Sequence, residues 1–200
     1  MAQKLKSSKA IQAKMPNLIG KKLPADEKRT LTKEEQYDLD IKLIGASSRG
    51  NDSEIRALIR EGADVWARDE SDWNPLTCAA AGMHFRACEL LLRHVEDSGR
   101  NVGEYIESTV DASGWTALLR AAGNGSTRIC RLLLRTLERS GKDVGKYINT
   151  RNHDGHTALS LASVRAYQKT SVFLAKYALK AMMGKKDYKL FISAFEECAK

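Results

Sequence analysis

A chain of 200 residues, 42% hydrophobic and 29% charged, has the makings of one folded domain with tails. No apolar run approaches the ~20 residues that cross a bilayer, and the basic start is not followed by the ~7–15 apolar residues of a secretory signal. The net charge of +8 is unevenly placed, because residues 41–164 hold 16 basic and 16 acidic side chains and the excess falls in the two ends.

Residues 1–35 read as a basic, largely flexible segment, with a short helix expected around Ala10–Met15. Residues 1–25 carry six Lys and no acid. An organelle transit peptide would draw its charge from Arg, and the first Arg here is Arg29. A first helix is expected over Asp38–Ser47, a turn at Gly50, and a second apolar period from Ile55 to Ile59. Gly62-Ala-Asp-Val65 then closes the first unit.

The next segments repeat one another. Trp73–Ala80 (WNPLTCAA) is followed 42 residues on by Trp115–Ala122 (WTALLRAA), and 41 residues further by His156–Ser163 (HTALSLAS). Each is followed by a second apolar period: Ala87–Leu92 (ACELLL), Ile129–Leu134 (ICRLLL), and a weaker Val172–Leu174. Thr116 and Thr157 stand where a helix should begin and a hydroxyl can cap free backbone N–H groups. Pro75 suits a first helical position. Asp111 with Gly114, and Asp154-Gly155, are tight-turn chemistry, and Gly125 fits the turn between paired helices. Small residues at Ala79, Ala80, Ala121 and Ala122 let two helices approach, while Leu90–Leu92 and Leu132–Leu134 need covering by a neighbouring unit. Two units share a further stretch, Ser-Gly-x-x-Val-Gly-x-Tyr-Ile, at Ser98–Ile106 and Ser140–Ile148. It lengthens each by eight residues over the first unit, either as a segment that packs its Val and Tyr on the array or as a shaped edge that touches a partner. Ala175–Met183 prolongs the last helix. Gly184–Asp187 reads as a stop, and Tyr188–Cys198 as a separate amphipathic capping helix within 185–200.

These pieces, in this order and in four copies over residues 38–179, resemble the ankyrin repeat, whose period is about 33 residues and whose signature is T-P-L-H-x-A. The units are approximately 38–69, 70–110, 111–151 and 152–179. The resemblance implies an all-α solenoid of helix-turn-helix units with short β-turn or hairpin tips. It also implies a non-catalytic, cytoplasmic adaptor, expected to be a monomer, that binds another protein on its concave face. Mapped onto this chain, that face comprises the tips Glu70, Ser71 and Trp73; Ala112, Ser113 and Trp115; and His153, Asp154 and His156. It also includes Ala81, Asn124 and Arg165 on the first helices, with Trp66 and Arg68 on the approach. Trp73, Trp115 and His156 hold one position of successive units, roughly 10 Å apart if the units stack as packed helices do. They form either an exposed aromatic ladder or packing against neighbouring tips. Arg120 departs from the pattern, since the matching positions hold Cys78 and Leu161. It would either reach an acidic group on a partner or stay solvated or ion-paired.

No motif points to catalysis, a cofactor or a metal. Cys78, Cys88, Cys130 and Cys198 lack CxxC spacing, Gly123-Asn-Gly125 is not a phosphate loop, and His153 and His156 share a turn rather than a helical face. An alternative use for the Lys-rich ends is salt-sensitive contact with nucleic acid or an acidic surface, which the balanced charge of the array disfavours as the main role. Ankyrin arrays also occur in bacteria that live inside eukaryotic cells, so an effector acting on a host protein in the host cytosol is a further reading.

Overall fold

A computed structural model describes residues 31–198, with side chains to residue 183. The flexible segment and the short helix expected near Ala10–Met15 lie outside the described residues. Lys33 onward forms one compact unit.

The described residues form helices in pairs. α1 (Lys33–Arg49) and α2 (Asp52–Glu61) make the first unit. α3 (Pro75–Ala81), α4 (Phe85–Asp97) and the short α5 (Val102–Ser108) make the second. α6 (Ala117–Gly123), α7 (Thr127–Arg139) and α8 (Val144–Ile148) make the third. α9 (Ala158–Val164) and α10 (Gln168–Cys198) complete the fourth. The first helix begins five residues earlier than expected, so Lys33–Glu35 belong to the array; Glu34 and Glu35 place negative charge in its first turn, where the helix dipole favours it. The stop at Gly184–Asp187 and the separate capping helix expected over Tyr188–Cys198 are not formed, because α10 runs unbroken through Gly184 to Cys198. One mid-helix Gly costs only about 1 kcal/mol, and the Lys-Lys after it favours a helix.

The helices stack as two rows. α1, α3, α6 and α9 pack against one another through Ala46, Ala79, Ala80, Ala121, Ala122 and Ala162, all fully buried. α2, α4, α7 and α10 pack behind them with Leu58, Leu91, Leu133 and Leu174 in one continuous core. The second row is the looser one, since Leu, Phe and Arg side chains stand where the first row has Ala. The first helices are capped as their sequences indicate: the Asn74 side chain accepts from Thr77 N (2.8 Å), and the Thr116 and Thr157 hydroxyls accept from Leu119 N and Ser160 N (3.2 Å each).

The paired Ser-Gly-x-x-Val-Gly-x-Tyr-Ile stretches become α5 and α8 and supply core. Tyr105 and Ile106 are fully buried, and Tyr147 and Ile148 nearly so. The Tyr105 hydroxyl donates to Val65 O across the unit boundary, 3.0 Å.

The turns between paired helices show how one unit seats the next. Gly50, Met83, Gly125 and Ala166 hold the same left-handed position, with φ from 59° to 72°. A Cβ on Gly50 would stand 2.3 Å from the His84 ring, and one on Gly125 would stand 2.7 Å from the Tyr167 ring. Each ring belongs to the residue just after the left-handed position of the following turn. Met83 faces no such ring, because the matching residue in the next turn is the small Ser126.

Candidate partner-binding surface

The tips are built on three equivalent Asx residues. Asp69 Oδ1 accepts from Ser71 N and Trp73 N, both 2.9 Å. Asp111 Oδ1 accepts from Ser113 N (2.9 Å) and Trp115 N (3.0 Å). Asn152 Oδ1 accepts from His156 N (2.8 Å), and its amide donates to Asp154, 3.1 Å. Each side chain replaces backbone partners that a bare turn lacks, so the loops are rigid without a sheet. Among the described residues the β component is a single isolated bridge between Val110 and Thr116.

Arg120 ties two tips together. Its guanidinium lies 4.2 Å from the Trp73 ring centre and 4.5 Å from that of Trp115, so it is held between the indoles of successive units. Its Nη2 donates to Asp111 Oδ2 at 2.5 Å. The Asp111 side chain is only 2% exposed and that of Arg120 22%. Removal from water strengthens both the ion pair and the cation–π contacts. The expected ladder is therefore a Trp–Arg–Trp stack of half-buried side chains. In the fourth unit Asn152 and Leu161 replace the Asp–Arg pair, and His156 stands in the Trp position.

Several residues expected on the binding face donate to a neighbouring unit instead. Arg68 donates to Val110 O (2.8 Å), to Ser108 O and to its own tip at Asp72 O. Asn124 Nδ2 donates to Ala81 O (2.7 Å) and Arg165 Nη1 to Gly123 O (2.7 Å); His84, not among the expected residues, makes the equivalent bond from Nε2 to Ser48 O (2.9 Å). The three acceptors are equivalent carbonyls at the C-terminal ends of first helices, which have no intrahelical partner. Trp66 is tucked against Tyr105, ring centres 4.9 Å apart. Ala81, Trp73, Trp115 and His156 are half-buried, and Glu70, Ser71, Ala112, Ser113, His153 and Asp154 are exposed. His153 N donates to Ser113 O, fixing adjacent tips to each other.

A family description, ankyrin repeats (3 copies), matches residues 43–144 and 101–187. The chain belongs to the ankyrin repeat family. Search of curated proteins gives no match to it. Ankyrin repeats are in general protein–protein interaction modules and are typically non-catalytic.

The ankyrin array also exposes apolar side chains that motif reading did not single out: Met83, Val110 and Tyr167, at 57%, 37% and 39%. Val164, on the end of a first helix, is 77% exposed. Cys78, Cys88 and Cys130 are buried in the core of the array, and burial pushes their thiols up, to about 12 for Cys78 and Cys130. At neutral pH they are neutral packing groups. Among the described residues no helix is long and apolar enough to cross a membrane, and no His, Cys, Asp or Glu group is placed to hold a metal.

Proposed function

We propose that this protein is a non-catalytic ankyrin adaptor of the cytoplasm that binds one protein partner across its tips and first-helix row. The observation that carries the reading is the Trp73–Arg120–Trp115 stack. Half-exposed aromatic and Arg side chains held rigid before binding lose little conformational entropy on contact, and such residues dominate interface energies. Exposed Ser71, Ser113, His153 and Asp154 on the tips supply a polar rim, and exposed Val164 adds apolar area at the end of a first helix.

The test is a quantitative co-purification with the intact chain. Ser71 and Ser113 have exposed side chains without partners among the described residues, so Ser71→Arg/Ser113→Arg leaves the fold intact and blocks the tips. The proposal expects the partner recovered with the native chain to be lost with this variant at unchanged melting temperature. Recovery of the same partner in equal amount would reject the tip face.

A further inference from the structure

The array's charge is balanced in total and segregated in space. α7 carries Arg128, Arg131, Arg135 and Arg139 at steps of three, four and four residues, one face of a helix. With Arg93 of α4 they line an open trough of about 510 Å³ between α4 and α7 in the second-helix row. The lining also holds two acids, of which Glu96 is paired with Arg139 and Glu89 with Arg86. Arg93, Arg128, Arg131 and Arg135 are exposed and pair with no carboxylate among the described residues. Arg131 also borders the next trough, about 650 Å³ between α7 and α10, where Lys169 and Lys176 add charge and no acid stands in the lining. Two of the guanidiniums are pre-set. Arg128 lies 4.4 Å from the centre of the Phe85 ring and Arg131 lies 5.3 Å from that of Phe173. Between the charges the floor is apolar, with buried Leu92 and half-buried Leu132.

We propose that this trough is a second docking surface, distinct from the tips, and that its occupant is an acidic amphipathic helix of a partner protein. Charge complementarity excludes the chain's own N-terminal segment, which is Lys-rich and free of acid over residues 1–25. Arg forks fit carboxylates two bonds at a time. The ladder spans about 16 Å along α7, three helical turns, so carboxylates at i, i+3 or i+4, i+7 and i+11 of a second helix face it in register. The apolar floor takes the Leu-type side chains beside those carboxylates. A single nucleic-acid strand needs open aromatic faces for its bases, and here the Phe85 and Phe173 rings are capped by Arg.

The test is fluorescence anisotropy with the full chain and a labelled designed helix of ~15 residues, Glu on one face and Leu beside it. Controls are the same peptide with Gln for Glu, oligo-uridine, and phosphatidylserine vesicles. The peptide is expected to bind, the Gln version to bind at least about tenfold more weakly, and affinity to fall as salt passes ~0.1 M. Arg93→Glu/Arg135→Glu is expected to weaken binding by more than about tenfold with an unchanged circular-dichroism spectrum. Arg93→Gln/Arg135→Gln, which adds no repulsion, is expected to give a smaller loss in the same direction. Ser71→Arg/Ser113→Arg is expected to leave this binding unchanged, so failure of the tip reading and of this one are separable. No peptide binding, equal binding of the Glu and Gln peptides, or binding that survives both Arg variants would overturn the proposal. Tighter binding of oligo-uridine or vesicles, lost in the same variants, would also overturn it and assign the trough to that ligand.

Discussion

Arg120→Leu puts into the third unit the residue that the fourth unit carries at the same place, Leu161. The change removes two cation–π contacts, about 0.5–1 kcal/mol each. It also strips Asp111 of its only side-chain partner among the described residues. Breaking a fully buried pair from one side costs ~3–5 kcal/mol; because Asp111 keeps two backbone N–H donors and Arg120 is 22% exposed, we take ~2 kcal/mol. The expected loss is ~3 kcal/mol, a fall in melting temperature on the order of 6–12 °C for an array of this size. Asp111→Asn alone should cost ~2 kcal/mol, because an amide donor would then face the guanidinium. The double variant recreates the Asn152–Leu161 combination, so its cost should fall short of the sum by about 2 kcal/mol. Urea titration followed by far-ultraviolet circular dichroism measures all three without relying on the two tryptophans. Additivity within ~0.5 kcal/mol would refute the claim that Arg120 and Asp111 act as one unit.

The left-handed turns give a second expectation. Ala166→Gly relieves a φ of 59° and should raise stability by up to ~1 kcal/mol, whereas Gly125→Ala must also displace the Tyr167 ring and should cost well over ~1 kcal/mol in the same titration. Tyr105→Phe should cost about 1 kcal/mol, since it leaves Val65 O without its donor. Tyr147→Phe should cost little, because that buried hydroxyl, near Thr109 and Thr116, makes no hydrogen bond of good geometry among the described residues. Alkaline pH should destabilise the fold. Burial holds Cys78, Cys130 and Tyr147 protonated up to about 12 in the folded state. The unfolded chain releases these protons from about pH 9 upward, binds fewer than the folded chain, and stability falls between roughly pH 9 and 12. Melting curves flat across that range would contradict this burial.

Much of this was legible in the sequence because ankyrin units announce their local chemistry. Thr116 and Thr157 are caps in the sequence and caps in the structure, and Asn74 caps the helix that Pro75 was read to open. Paired Ala positions mark the tightly packed row, and the Val and Tyr of the repeated insertions pack inward. What could not be read were contacts made by long side chains across a unit boundary. Nothing in the spacing of Arg68, Asn124 or Arg165 says that each donor ends on a carbonyl of another unit. Arg120 and Trp73 are 47 positions apart, and only stacking brings them together. The even charge of residues 41–164 hid the arginine face in the same way, because a sum along the chain carries no direction. At the C-terminal end, Gly184 read as a stop because Gly lowers helix propensity, but its cost of about 1 kcal/mol is too small to break a long helix.

The central claim, that an ankyrin array meets its partner with its tips, is tested most directly by site-specific photo-crosslinking. A photoreactive residue at Ser113, exposed beside the Trp–Arg–Trp stack, is compared with one at Arg56, exposed on the second-helix row of the first unit and outside the lining of the trough. Ser113 is expected to crosslink the co-purified partner, and Arg56 is not. Crosslinking from Arg56 with none from Ser113 would contradict the claim.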